Sequence, residues 1–313
     1  MHEGRIMKST ILYFLPVAFV LGCASNPSKD GGDPDASTSD VGPITNCKPD
    51  ECPSKHCGPD DQCAQDCSTQ GCPNSQTCCN SSYCSDLAKD PQNCGACGTA
   101  CGPKQFCTSK ACSDALVNNV CNNGAGSVVL DSITVDEAAG GVIGDAIKSA
   151  CSSTTIASIQ QGATGSMDSQ SGRPTLGPGN TYIAAGGGFG QKAVGYMNNA
   201  RNAPVYTIDD SVNISFVRTS DNGTIIKTPL SALTVHHDYF LIYAAAEPTS
   251  GTLVFSVYGL YGPGTTAGAY YFKTTMAPSL SGQSKQYFVF EWTDTNNDSV
   301  AGSGDTFKQI EAN

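Results

Sequence analysis

Apolar residues are spread very unevenly along this chain, and their pattern divides it before any motif is considered. Residues 11–20 form one compact apolar run, residues 24–46 carry almost no apolar side chain, and residues 47–112 offer little beyond Leu87 and Phe106. From about residue 127 apolar positions return with strand and helix periods. Residues 128–135 read as a strand. Asp136 or Glu137 can start a helix whose apolar side is Val142, Ile143, Ala146, Ile147 and Ala150, although three glycines weaken it. Residues 154–159 read as a strand, 160–180 as a Gly/Ser/Pro loop, and 181–185 as a short buried strand. Gly186-Gly187-Gly188-Phe189-Gly190 follows, then a helix to about Asn199 with Val194 and Met197 on one side. Residues 204–208 form the next strand. Residues 212–218 and 224–227 make a hairpin around Asp221-Asn222-Gly223. Residues 239–246 and 252–258 are near-continuous apolar runs, suited to strands covered on both faces. A helix after Pro263-Gly264 turns Ala269, Phe272 and Met276 inward and stops at Pro278; residues 286–292 are the last strong strand. The fold class is α/β: a mixed-sheet C-terminal domain with a few helices, preceded by a small disulfide-rich, loop-dominated segment.

The first apolar run is too short for a comfortable membrane span and has no stop-transfer flank; with Arg5 and Lys8 ahead of it, it reads as a secretory signal. Read from Met7, the signal is more compact. Val20-Leu21-Gly22-Cys23 resembles the bacterial lipobox. That resemblance implies lipidation of the Cys23 thiol, removal of residues 1–22 and attachment to a membrane through the lipid. Ala24 and Ser25, with no Asp, imply the outer membrane or cell surface by the habit of that family. The alternative is an ordinary signal peptide with an incidental cysteine. Residues 23–46, dominated by Asp, Gly, Ser, Pro and Thr, cannot bury enough surface to offset their ordering entropy and read as a flexible linker.

The net charge is -11, only 14% of residues are charged, and no basic patch stands out, which argues against nucleic acid as a partner. Of 17 cysteines, setting Cys23 aside leaves an even number, in keeping with disulfides in an oxidising compartment. Cys67, Cys72, Cys78, Cys79 and Cys84 form one sub-unit; Cys94, Cys97, Cys101, Cys107 and Cys112 form a second. Cys47, Cys52, Cys57 and Cys63 look like a degenerate third copy. With so little apolar material, cross-links must replace a core over residues 47–115. Connectivity does not follow from spacing. Cys121 and Cys151 are expected to bond to each other and staple the start of the 121–313 domain, or else to pair back into the repeats. Cys94-x2-Cys97 with Cys101 also has zinc-like spacing, but an exported chain favours disulfides. Gly71-Cys72-Pro73, Gln76-Thr77-Cys78-Cys79 and Asp90-Pro91-Gln92-Asn93-Cys94-Gly95-Ala96-Cys97-Gly98 resemble the cysteine-rich repeats of myxobacterial-type surface lipoproteins. The resemblance implies an extracellular stalk or adhesion-type module without catalysis.

Three places invite chemistry. The glycine loop 186–190, with Asp209 about twenty residues on, is arranged as in a dinucleotide site but fits the fingerprint only as Ala185-x-Gly187-x-x-Gly190; a tight strand-to-helix turn is the simpler expectation. Asp294, Asn296, Asp298, the carbonyl of Val300, and Asp305 fall at positions 1, 3, 5, 7 and 12 of a calcium loop. Ser299 stands where such loops carry Gly, Asp305 where they carry Glu, and no helix precedes them. The stretch resembles the loops of dockerin-type modules, and the alternative is an Asx-rich turn. Calcium is the one cofactor this sequence suggests. Of the histidines, His2 leaves with the signal and His56 sits among the cysteines. Adjacent His236 and His237 point to opposite faces of a strand, so only one can join Asp238 in a site. No Gly-x-Ser-x-Gly or His-Glu-x-x-His string is present. Residues 238–242, Tyr258-Gly259-Leu260-Tyr261-Gly262-Pro263-Gly264 and Phe290-Glu291-Trp292-Thr293-Asp294 are similar to modules of S-layer-like surface proteins, which implies a structural domain and carries over no catalytic residue. The expected function is a lipid-anchored cell-envelope protein presenting an α/β domain in a structural or binding role, with a surface protein or glycan as partner. The alternative is an extracytoplasmic hydrolase built on His236 or His237.

Overall fold

A computed structural model describes residues 67, 71–72, 76–80, 83–102, 105–123, 125–130, 133–152 and 154–313. Cys23, the 23–46 linker, His56 and the third cysteine group (Cys47, Cys52, Cys57, Cys63) lie outside the described residues.

The cysteine-rich part contains two small antiparallel hairpins, β1 (Thr77–Cys79) with β2 (Tyr83–Ser85) and β3 (Gln105–Thr108) with β4 (Ala111–Asp114). Apolar periodicity gives no sign of them because, of their buried residues Cys79, Ser85, Phe106 and Cys107, only Phe106 is an ordinary apolar side chain. Cys67–Cys78 and Cys72–Cys84 close the first sub-unit, Cys94–Cys107 and Cys101–Cys112 close the second, and Cys79–Cys97 joins the two. Cys94, Cys97 and Cys101 therefore sit in three different disulfides, and their zinc-like spacing serves cross-links. Asp90 is buried and accepts from Ser85 Oγ (2.7 Å), Asn93 Nδ2 (2.9 Å) and the Gln92 amide (2.9 Å). Gly95 takes a left-handed φ of +77°, and a Cβ there would lie 2.6 Å from the Lys110 carbonyl oxygen. The Asp90–Gly98 string is thus a polar and conformational core standing where apolar burial is missing.

A short 3₁₀ turn (Val117–Cys121) leads to the main sheet, and Cys121–Cys151 does bond as expected. The sheet has seven strands: β5 (Ala125–Leu130), β6 (Thr155–Gln160), β7 (Asn180–Ala185), β11 (His237–Ala246), β12 (Leu253–Gly259), β13 (Tyr287–Thr293) and β14 (Thr306–Ala312). Their order is β14-β13-β11-β12-β7-β5-β6. β6, β5, β7 and β12 run parallel; β11, β13 and β14 add antiparallel pairs. A separate antiparallel sheet holds β8 (Val205–Asp209), β9 (Asn213–Arg218) and β10 (Thr224–Pro229).

Both faces of the large sheet are covered, which is why β11 and β12 are apolar at nearly every position. Phe240, Ile242 and Ala244 face the first core with Ile143 and Ile147 of α1 (Thr134–Ala150) and Ala267 and Ala269 of α3 (Gly262–Tyr271). Leu241, Tyr243 and Ala245 face the second core with Val194 and Met197 of α2 (Lys192–Asn199) and Val205 and Phe216 of the small sheet. Phe106, Ala115 and Val117 also enter the first core, so the second cysteine sub-unit packs on the domain.

Several boundaries differ from expectation. The strand expected over 128–135 ends at Leu130 and the helix begins at Thr134, placing Val135 in its first turn. The glycines of α1 have a packing cause: a Cβ at Gly144 would lie 2.5 Å from Val128 Cγ2, and one at Gly140 3.3 Å from Val128 Cγ1. They let the helix lie close on β5, at a cost in helix propensity. Ala150, expected on the apolar side, is exposed. After α3 the helix widens into a π turn (Phe272–Met276) and tightens into a 3₁₀ turn (Ala277–Gly282). Pro278 does not end the helical path, because it sits in the first turn of that last segment, where a missing N–H is harmless. β14, half-exposed at the sheet edge, is a strand that apolar runs alone do not disclose.

Candidate functional site

β5 and β7 are parallel neighbours, yet α1 leaves β5 on one face of the sheet and the glycine loop leading to α2 leaves β7 on the other. Such a switch opens a crevice at the carboxyl ends of the strands. Here it is a cleft of about 750 Å³. The start of α1 gives Ile133, Val135 and Asp136; the glycine loop gives Gly187, Phe189 and Gly190; the β12–α3 turn gives Leu260 and Tyr261. Trp292, Ser299 and Ala301 close one wall. Most of the lining is apolar and much of it is open to solvent: Phe189 is fully exposed, with Tyr261 and Val235 more than half exposed.

β11 begins, and β13 ends, at this same end of the sheet. The glycine loop, Asp209, His236, His237, Asp238 and the Asp294–Asp305 loop are therefore gathered at one end by topology. Their contacts separate them.

The glycine loop answers to local packing. Gly186 has φ +100°, and any Cβ there would fall on the Asp136 carboxylate. A Cβ at Gly188 would lie 2.7 Å from Gly195 Cα, so the loop is folded onto its own helix. Asp209 ends a strand of the separate sheet and accepts from the Ser211 amide at 2.7 Å. It lines the cleft, but not from the neighbouring parallel strand that a ribose-binding acid would occupy.

Each histidine meets its own carboxylate. His236 Nδ1 lies 2.6 Å from Asp294 Oδ2, and His237 Nε2 lies 3.1 Å from Glu291 Oε1. The hydrogen bond from His237 holds the Glu291 carboxyl below its ordinary range. Among the described residues no serine or threonine hydroxyl bonds to either ring, and neither histidine lines the cleft. Asp238 is fully buried and belongs to neither pair. Its Oδ1 accepts from the Tyr239 amide (2.7 Å), and its Oδ2 from the amides of Tyr261 (3.0 Å) and Gly264 (2.7 Å). It thereby fixes the β12–α3 turn that floors the cleft. Burial pushes its carboxyl up to about 7, against three amides that favour the charged form.

The Asp294–Asp305 loop joins β13 to β14. Ser299, at the position where calcium loops carry Gly, takes the left-handed φ of +62° that Gly would supply. Its amide donates to Asp294 Oδ2 at 2.8 Å, the Asp298 amide to Asn296 Oδ1 at 3.2 Å, and the Val300 amide to Asp298 Oδ1 at 2.8 Å. Burial raises the Asp294 carboxyl, but His236 and the Ser299 and Asn297 amides outweigh it and hold the group below its ordinary range. Sequence spacing identified this loop; it gave no hint that its wall also borders the cleft.

Neither protein-family models, curated proteins nor solved structures gave a match to this chain.

The cleft was missed by sequence reading. Its signal lay in apolar residues assigned to turns, Phe189 and Tyr261 above all, which had no core to enter.

Proposed function

We propose that this chain is a lipid-anchored cell-envelope protein, held by Cys23, whose α/β domain binds another envelope protein through the cleft at the carboxyl ends of its parallel strands. The observation that carries the reading is the collection of exposed apolar side chains around that cleft. Contiguous exposed apolar surface on a soluble face marks interaction sites. The lining is poor in the paired polar groups that a glycan would need, so an apolar side chain of a protein segment suits it better. Among the described residues no hydroxyl is hydrogen-bonded to either imidazole, which favours binding over hydrolysis in this reading. Among the described residues no helix is long and apolar enough to cross a membrane; in this reading the lipid supplies attachment.

A photo-reactive amino acid placed at Phe189 in intact cells is the test. One discrete cross-linked partner is expected, lost when Tyr261→Ser is added. Cross-linking that is absent, or unchanged by Tyr261→Ser, would count against the cleft. Anchorage has its own measurement: an alkyne-bearing palmitate analogue should label the chain, and Cys23→Ser should abolish the label. An unlabelled wild-type chain would remove the anchor from the proposal.

A further inference from the structure

We propose that two copies of this chain pair through β6, edge to edge and antiparallel, so that their large sheets join into one. The observation that carries this is a contrast between sheet edges. An exposed edge strand offers N–H and C=O groups to any other strand, and folded chains blunt such edges with bulges, prolines and charges. β14 is blunted: Ile310 bulges out of its pairing with β13, and Lys308 and Glu311 stand on the strand. β10 is blunted too, with Ile225 as the bulge beside Lys227 and Pro229. β8 is buried over Val205 and Tyr206 and ends at Asp209. β6, at the other edge of the large sheet, has none of these devices. Its register with β5 runs unbroken from Thr155 to Gln160, and Thr-Ile-Ala-Ser-Ile-Gln contains neither charge nor proline. Thr155, Ala157, Ser158 and Gln160 are exposed.

The ladder fixes which main-chain groups point outward. In a parallel pair, the carbonyl and amide of one residue bond to the two residues flanking the one opposite it. Leu130 lies opposite Gln160, and its carbonyl accepts from the Gln161 amide at 2.7 Å. Carried back along the strand, that phase turns Ala157 and Ile159 toward β5 and leaves Ile156, Ser158 and Gln160 facing away from the sheet. Among the described residues, the one main-chain bond made to this outward row from outside the sheet is that of the Ala163 amide to the Gln160 carbonyl (2.9 Å). The row is symmetric about Ser158. A two-fold axis there sets Ser158 against Ser158 of the second copy, and Ile156 against Gln160 of the second copy. All these positions project their side chains to one face, as opposed residues of an antiparallel pair must. Charge also favours a second copy as the occupant. The chain carries a net charge of -11, so copies repel except across uncharged surface, and residues 152–167 contain no charged residue. A charged partner segment would find no opposite charge there.

Full-length protein, with detergent micelles in excess over chains, should sediment as monomer and dimer in proportions set by its concentration. The midpoint should be micromolar, as suits a small interface made mainly by main-chain groups. In the dimer, the amides of Ile156, Ser158 and Gln160 should exchange at least about tenfold more slowly with solvent, while those of Ala157 and Ile159, already bonded to β5, should change little. Ser158→Pro removes the central donor at an edge position that accepts proline. Ser158→Lys keeps the donor but sets two ammonium groups face to face on the axis. Each should raise the midpoint at least about tenfold while the circular dichroism stays as in the wild type. If Ser158→Pro loses that signal, Ser158→Lys alone decides. Ser220→Lys, the same added charge in the turn of the separate sheet, should leave the midpoint alone, and so should Tyr261→Ser in the cleft. A wild-type chain that stays monomeric up to about 1 mM would overturn the pairing and leave this edge to a strand of another protein. So would a dimer that persists unchanged in Ser158→Lys, or one that gives the three outward amides no added protection.

Discussion

Asp238→Ala should destabilise the folded chain by about 3–5 kcal/mol, read as a fall in the urea midpoint with little change in slope. The methyl group would leave three amides, those of Tyr239, Tyr261 and Gly264, without the acceptor that the buried Asp238 carboxylate supplies. Gly264 opens α3, so the loss spreads to the end of β12 and the helix that follows. A fall of less than about 1 kcal/mol would mean that the turn finds other acceptors. Asp238 also gives a pH dependence of definite sign. Its folded value of about 7 lies above the ordinary 3.8. Between these values the folded chain keeps a proton that the unfolded chain has released. The contribution of this group is therefore greatest below about pH 4 and declines as pH rises to about 7, by at most about 1.4 kcal/mol per pH unit. Wild type minus Asp238→Asn, measured at several pH values, isolates the slope; a flat difference would refute it.

Removing the Cys121–Cys151 disulfide, by serine at both positions, should cost about 3–4 kcal/mol. The bond spans 30 residues, and closing a loop of that size in the unfolded chain accounts for that much in the chain-entropy view. It joins the turn before β5 to the end of α1, so it closes the whole β5–α1 unit on itself. Thermal unfolding of the double variant is the measurement, and a loss below about 1 kcal/mol would indicate that packing alone fixes this unit.

Much of the fold was legible because its determinants are local. The hairpin at Asp221-Asn222-Gly223 and the doubly covered strands of residues 239–246 and 252–258 follow from period and turn chemistry. What was hidden depended on distant partners. Gly140 and Gly144 look like helix breakers until Val128 is seen against them. Pro278 looks like a stop until the helix is seen to change its winding first. β14 is recognisable only beside β13, since half-exposed edge strands have no continuous apolar run. The Asp294–Asp305 loop stands out by spacing because its Asp and Asn residues lie close together in sequence. The cleft does not, because Ile133, Phe189, Tyr261 and Ala301 come from four separate connections brought together by the order of the strands.

The Cys79–Cys97 bond between the two cysteine sub-units has a mechanical consequence. The shortest covalent route from Cys67 to Cys112 crosses to Cys78, steps to Cys79, crosses to Cys97, follows the chain to Cys101 and crosses again. Under tension that route can lengthen to only about 35 Å, where the same residues without cross-links would pay out to about 150 Å. A pull arriving from the N-terminal side would thus be borne by covalent bonds across the cysteine segment. The segment behaves as a nearly inextensible strap, which passes load to the α/β domain without absorbing it by unravelling.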